Sequence, residues 1–167
     1  MKLFCGIDWA EAHHDVAIID GDGHLVAKKR ITDDPAGFAE LIEILTAAGD
    51  ESEDPIPVAI ETPRGLLVSA LRATGRAVYA INPLAVARYR ERHSVARTKS
   101  DHADATTLAN ILRVDAHLHR RLPAWNLEVV GFRAPMYLDA DDRFAYWHQV
   151  EAIVRLARDR PVLFLGD

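Results

Sequence analysis

LFCGIDWAEAHHDVAIIDGDGHLVAKKRI, residues 3–31, decides the fold. An apolar run at 3–8 ends in Asp8, and a second run, rich in Val and Ile, covers 14–20. Short apolar runs of this kind read as strands. The second run closes on Asp20-Gly21-Asp22-Gly23, and Asp-Gly readily supplies the positive backbone angles of a tight hairpin turn. Residues 25–31 therefore pair back as a third strand.

Beyond this meander the periodicity changes. Pro35 opens a segment in which Phe38, Leu41, Ile42 and Leu45 recur at helical spacing, and Gly49 sits where a helix stops. An acidic, loop-like stretch leads to a buried strand at 57–61 that again ends in a carboxylate, Glu61. A helix at 65–74 closed by Gly75 and a strand at 77–81 come next, and Asn82-Pro83 breaks that strand before a helical or irregular basic stretch. Ser100 or Asp101 then caps a helix on which Ala105, Leu108, Ala109 and Leu112 share one face. A hairpin meander followed by alternating helices and strands predicts an α/β fold with a mixed sheet flanked by helices, the order of ribonuclease-H-like domains.

Composition narrows the function. At 167 residues the chain accommodates one domain with a full core, plus a tail. Its 49% hydrophobic and 27% charged content is that of an ordinary globular protein. No apolar run approaches the roughly 18 residues that span a bilayer, and the amino terminus meets Asp8 too soon for a signal peptide. The expectation is a cytoplasmic protein without membrane insertion. The single cysteine, Cys5, allows no internal disulfide and no cysteine metal site, so core packing is its expected role. A net charge of −5 argues against coating nucleic acid by bulk charge, so local patches must do so. Residues 83–99 supply one, with Arg88, Arg90, Arg92, Arg97 and Lys99 against Glu91 alone.

Asp8 and Glu61 each stand at the carboxyl end of a predicted strand, where open α/β sheets present ligands. Asp101 and Asp104, three apart in the first turn of a helix, lie on nearly the same face. If the four converge, like charges a few ångströms apart raise one another's pKa, and a divalent cation removes that cost. Mg²⁺ or Mn²⁺ suits such hard oxygen donors, and two ions roughly 4 Å apart serve phosphodiester chemistry. The alternative for each residue is ordinary: Asp101 as an N-cap, Asp104 as a first-turn carboxylate favoured by the helix dipole, Asp8 as a strand end, and Glu61 as a solvated residue or a partner of Arg64.

Taken together, GIDWA at 6–10, AIETPRG at 59–65, AINPLAVARYR at 80–90 and ARTKSDHADATTLANILR at 96–113 resemble the DEDD transposases of the one-ten group of insertion sequences. Lys99-Ser100-Asp101-x-x-Asp104-Ala105 is the strongest piece, preceded by the Asn82-Pro83 break and by Glu61 with Gly65 four residues on. The resemblance implies a RuvC-like domain over 1–123 and a divergent tail over 124–167, truncated or frameshifted. It assigns Asp8, Glu61, Asp101 and Asp104 to the family's four acidic metal-binding and catalytic positions. It further implies Mg²⁺ or Mn²⁺, DNA as substrate, a structured guide RNA, a homo-oligomer, and transposition by site-specific recombination. Relatives also carry a carboxyl-terminal domain with an essential serine, and none of Ser52, Ser69, Ser94 or Ser100 matches it, so full transposition by this chain alone is not expected. The competing functions are a stand-alone RuvC-like structure-specific nuclease and a non-catalytic nucleic-acid-binding remnant. A sugar-kinase or ATPase reading fails because Trp9-Ala10-Glu11-Ala12 offers no Gly-rich phosphate loop.

Arg97 and Lys99, just before the helix carboxylates, and Arg64, beside Glu61, are candidate phosphate contacts, the alternative being surface salt bridges. His13 and His14, each able in principle to serve as a metal ligand or proton shuttle, read as surface or strand-edge residues, and Trp9 reads as a core aromatic rather than a residue stacked on a base. Arg113, His117, His119, Arg120 and Arg121 form a basic cluster after the last helix, able to contact phosphate or simply to solubilise the helix end.

Overall fold

The computed structural model describes residues 2–10, 12–93 and 102–123. Its elements, in chain order, are β1 (Leu3–Trp9), β2 (His13–Asp20), β3 (Leu25–Thr32), α1 (Pro35–Ala48), β4 (Val58–Ile60), α2 (Leu66–Ala73), β5 (Val78–Ala80), α3 (Pro83–His93), α4 (His102–Asp115), a 3-10 turn (Ala116–Leu118) and β6 (Arg120–Arg121). The strands form one sheet in the order β3-β2-β1-β4-β5-β6. β1 pairs antiparallel with β2 and parallel with β4, and β4 runs parallel to β5. This is the mixed α/β sheet the sequence predicts.

The alternation along β1 divides the core into two layers. Leu3, Cys5 and Ile7 point to one face, where they pack with Val16, Ile18, Val58 and Ile60 against Phe38, Leu41 and Leu45 of α1 and Leu67, Val68 and Leu71 of α2. Phe4 points to the other face, where Ile19, Ala59 and Ile81 meet Leu108, Ala109, Ile111 and Leu112 of α4. A strand covered on both faces has no polar side to show, which is why 3–7 reads as an unbroken apolar run. Cys5 is fully buried in the first layer, and burial pushes its thiol up to about 12, so it packs as a hydrophobe.

Local chemistry sets the boundaries. The Asp34 carboxylate accepts the Gly37 N–H at 2.7 Å and Pro35 occupies the first turn of α1, while Gly49 closes the helix at φ 107°. The basic stretch after Asn82 is helical over Pro83–His93, with the Asn82 side chain accepting the Leu84 N–H at 2.8 Å. β6 has no counterpart among the strands expected from sequence: Arg120 and Arg121, members of the basic cluster, form a two-residue antiparallel pairing with Ala80 and Tyr79 of β5. Both arginines remain exposed there.

Candidate metal centre

Three elements deliver the carboxylates. Asp8 lies one step past Ile7, and Glu61 one step past Ile60, its parallel partner in register. Neighbouring strands are about 4.8 Å apart, so the two side chains leave adjacent strand ends together. Both fall in the alternation phase of Gly6 and Ala59, the face covered by α4. Asp104 is in the first turn of α4, immediately before Ala105.

Gly6 fixes how near that helix comes. A Cβ on Gly6 would overlap the Ala105 carbonyl oxygen and press on the Ala109 N–H, so only glycine lets the backbones of α4 and β1 touch here. The contact lies two residues from Asp8 and one from Asp104, and it sets their separation through backbone rather than through flexible side chains.

The electrostatics follow from this convergence. Burial, then the negative charges of Asp104, Glu61 and Asp15, push the Asp8 carboxyl up to about 6, with the Arg90 guanidinium acting in the opposite sense. Glu61 is also raised, by burial and by Asp104, again opposed by Arg90. Among the described residues neither Asp8 nor Glu61 has a hydrogen-bond or ion-pair partner. Asp104 has one: Arg90 of α3 donates from its Nη2 at 2.6 Å. Hard carboxylate oxygens from three elements, two of them without a cation, are a donor set that fits Mg²⁺ or Mn²⁺.

Not every nearby acid is available. Asp15 stands directly opposite Asp8 in the β1–β2 ladder, but Arg30 grips both of its oxygens through Nε at 2.9 Å and Nη2 at 2.8 Å. A separate group, Asp20, Asp22 and His24, has ligand atoms within 4.8 Å of one another. It is the β2–β3 hairpin turn, at the end of the β1–β2 ladder opposite Asp8. There the Asp20 carboxylate accepts the N–H groups of Asp22 and His24, both at 2.9 Å, and these bonds lower its pKa. The turn's own backbone explains that cluster without an ion.

Of the residues singled out by sequence, Asp8, Glu61 and Asp104 come together, whereas Asp101, Arg97 and Lys99 lie outside the described residues, as does the tail 124–167. Arg64 is exposed on the loop after β4, held by its own backbone to the Thr62 hydroxyl, and makes no ion pair with Glu61 among the described residues. Two expectations are corrected. His14 is not a surface residue: it is 1% exposed because it shares the phase of Val16 and Ile18. Its Nδ1 accepts the Ala10 N–H at 3.4 Å, and its Nε2 faces Asp33 at 3.1 Å. Trp9 is not a core residue: it lies past the covered part of β1, 43% exposed, stacked on the His14 ring with centroids 6.3 Å apart. Sequence reasoning missed Asp15 and the specific place of Arg90. The short link at 10–12, which pairs Asp8 with Asp15, was a signal for the first, whereas nothing local marks Arg90 over its basic neighbours.

Comparisons with known proteins agree with this fold. The family model for DEDD transposases of the IS110 type matches residues 5–136. A protein of Streptomyces coelicolor named as a mini-circle transposase for IS117 is 64% identical over 124 residues, 74% of this chain and 30% of that protein. A protein of Sinorhizobium fredii named as transposase y4uE is 37% identical over 131 residues, 78% of this chain and 36% of that protein. The chain thus spans about a third of the length of these curated relatives. Among solved structures, T. thermophilus RuvC in complex with a Holliday junction substrate superposes with a TM-score of 0.52 at 16% identity, over 73% of this chain and 100% of that one; this likeness establishes the RuvC-like, ribonuclease-H-like fold. No helix among the described residues is long and apolar enough to cross a membrane. With the family model covering most of its length, the chain belongs to the DEDD transposase family of IS110-type insertion sequences.

Proposed function

We propose that residues 1–123 form the metal-dependent, nucleic-acid-processing domain of an insertion-sequence transposase, with Asp8, Glu61 and Asp104 as metal ligands and catalytic carboxylates. Asp101, outside the described residues, joins them by the family resemblance. One observation carries the reading: two carboxylates without any partner among the described residues converge on a third. A fold that ends in partnerless, half-buried acids has an electrostatic cost unless a cation offsets it.

When bound there, Mg²⁺ or Mn²⁺ supplies the charge neutralisation and Lewis acidity that phosphodiester chemistry requires. The chain's own residues do the rest. Asp8 and Glu61, on adjacent strand ends, define a rigid edge; α4, seated on Gly6, sets Asp104 against it. The edge lies where an open sheet presents ligands, at the carboxyl ends of its parallel strands β1 and β4. Arg64, exposed beside Glu61, and Arg97 and Lys99 are the proposed phosphate contacts.

DNA is the proposed substrate, supported by the family and by the Holliday junction held by the RuvC relative. A structured guide RNA, a homo-oligomer, a cytoplasmic location and complete transposition are carried over as proposals from the resemblance. The tail 124–167 is proposed as a divergent segment outside this domain. The discriminating experiment is calorimetric titration of the intact chain with Mg²⁺ and Mn²⁺, beside Asp8→Asn and Asp104→Asn. The expected result is saturable binding that either substitution abolishes. Absence of binding by the intact chain, with DNA and RNA present, would instead leave a non-catalytic nucleic-acid-binding remnant.

A further inference from the structure

Arg90 and Arg30 both pair with an aspartate beside the carboxylate edge, and they do so differently. Arg30 uses its whole fork, with Nε and Nη2 on the two oxygens of Asp15. Arg90 meets Asp104 through Nη2, and its Nε is buried without a hydrogen-bond partner among the described residues. An orphaned guanidinium N–H out of water is costly, and a pairing that leaves Nε unused falls short of the Nε-and-Nη2 grip that Arg30 makes. The Arg90 side chain is nevertheless 42% exposed, and Asp104 is 32% exposed, so the pair can open toward solvent.

The charge balance leaves room for a divalent ion. Asp8, Glu61 and Asp104 share Arg90 as the one described cation opposing their mutual repulsion. One guanidinium leaves two of three negative charges uncompensated, and a divalent ion would compensate both. An ion held by Asp104 would in turn repel the guanidinium from its present place. Arg is suited to what it would meet next, because its fork matches two phosphate oxygens.

Resting on the metal-centre reading, we propose that Arg90 is an exchangeable counter-cation: it holds Asp104 in the metal-free protein and turns to a nucleic-acid backbone phosphate when a divalent ion takes that carboxylate. Arg30 is the fixed counterpart, retained by Asp15 in both states.

The test uses the full chain and Arg90→Met, titrated with Mn²⁺ alone by calorimetry. Both are then titrated with a synthetic four-arm DNA junction by fluorescence anisotropy, in EDTA and in Ca²⁺. Removing a competing positive charge should tighten Mn²⁺ binding by roughly three- to tenfold. The same variant should lose severalfold in junction affinity with Ca²⁺ present and much less in EDTA. Arg90→Gln provides the same readings should Arg90→Met not fold, judged by far-UV circular dichroism. If the intact chain binds Mn²⁺ and the folded variant binds it no more tightly, the exchange is wrong while the metal centre stands. An equal loss of junction affinity in EDTA and in Ca²⁺ also overturns it, since Arg90 would then be a constant phosphate contact. Failure of the intact chain to bind Mn²⁺ at all removes the metal centre and the exchange together.

Discussion

The β1–β2 ladder has an acidic group at each end, Asp20 with the β2–β3 turn at one and Asp8 beside Glu61 at the other, and they differ in what satisfies them. At the turn, Asp20 spends its carboxylate on the N–H groups of Asp22 and His24 and is held below the usual carboxylate range. At the other end, Asp8 and Glu61 have no partner among the described residues and are raised, Asp8 to about 6. Closeness alone would favour the turn, whose three side chains approach within 4.8 Å. The difference teaches that an acidic cluster is a candidate ion site when its lone pairs are unspent and its charges are only partly opposed, not when its atoms are merely near.

Substitution of the ligands should break this contrast most strongly. Asp8→Asn or Asp104→Asn should lower Mn²⁺ affinity by more than about a hundredfold, the upper end of what losing even a supporting contact costs at a metal site. Asp22→Asn should leave the calorimetric isotherm unchanged. Loss of binding on Asp22→Asn, with the other two retaining it, would exchange the two sites.

Next comes the backbone contact behind the convergence. Gly6→Ala forces the Ala105 carbonyl away and should destabilise the fold by about 1–3 kcal/mol or more in urea unfolding, weakening Mn²⁺ binding as Asp104 retreats. At the turn, the corresponding Gly21→Ala meets only the Lys2 carbonyl oxygen, at 3.8 Å, which is ordinary contact. It should stay within about 0.5 kcal/mol of the parent. Equal stability for both variants would mean that α4 is not held by Gly6.

A smaller effect is the pH dependence, which has opposite signs at the two ends. The folded-state value of Asp8, about 6, exceeds its ordinary 3.8, so the folded protein binds this proton more tightly. Without metal, the unfavourable contribution of ionised Asp8 is full at pH 7 and shrinks as pH falls through about 6 toward 3.8. The Tm in EDTA should therefore rise from pH 7 to 5 relative to Asp8→Asn, while Mg²⁺ affinity falls over the same window because the proton competes. Asp20 behaves conversely: its stabilisation is present above its ordinary value and is lost as pH falls through the lowered one. An identical pH profile for Asp8→Asn and the parent would show that Asp8 is not perturbed.

The least effect is expected from Asp20→Asn. It keeps one acceptor oxygen for the turn and should lower Tm slightly without touching Mn²⁺ binding. A change in the metal isotherm would tie the turn to the centre.

Much of this architecture is legible in the sequence, for identifiable reasons. The Asp-Gly turn, the Asp34-Pro35 start and Gly49 stop of α1, and the carboxylate-terminated runs at Asp8 and Glu61 are signals written within a few residues of one another. Where sequence and structure differ, the deciding partner is distant. His14 is buried because Asp33 and the α1 layer cover its face, and Trp9 is exposed because β1 outruns that cover. β6 exists because β5 offers it an open edge.

The sequence by itself determined the periodicities, the turns, the caps and the family, since these depend on spacing and residue type along the chain. Only the tertiary structure decided that Gly6 admits α4 against β1, that Asp15 is locked by Arg30, and that Arg90 alone among its basic neighbours in α3 pairs with Asp104. The physical reason is range: a turn or cap is settled by atoms a few bonds away, whereas a charge is satisfied or left unopposed by whatever the fold brings within a few ångströms, regardless of separation in sequence.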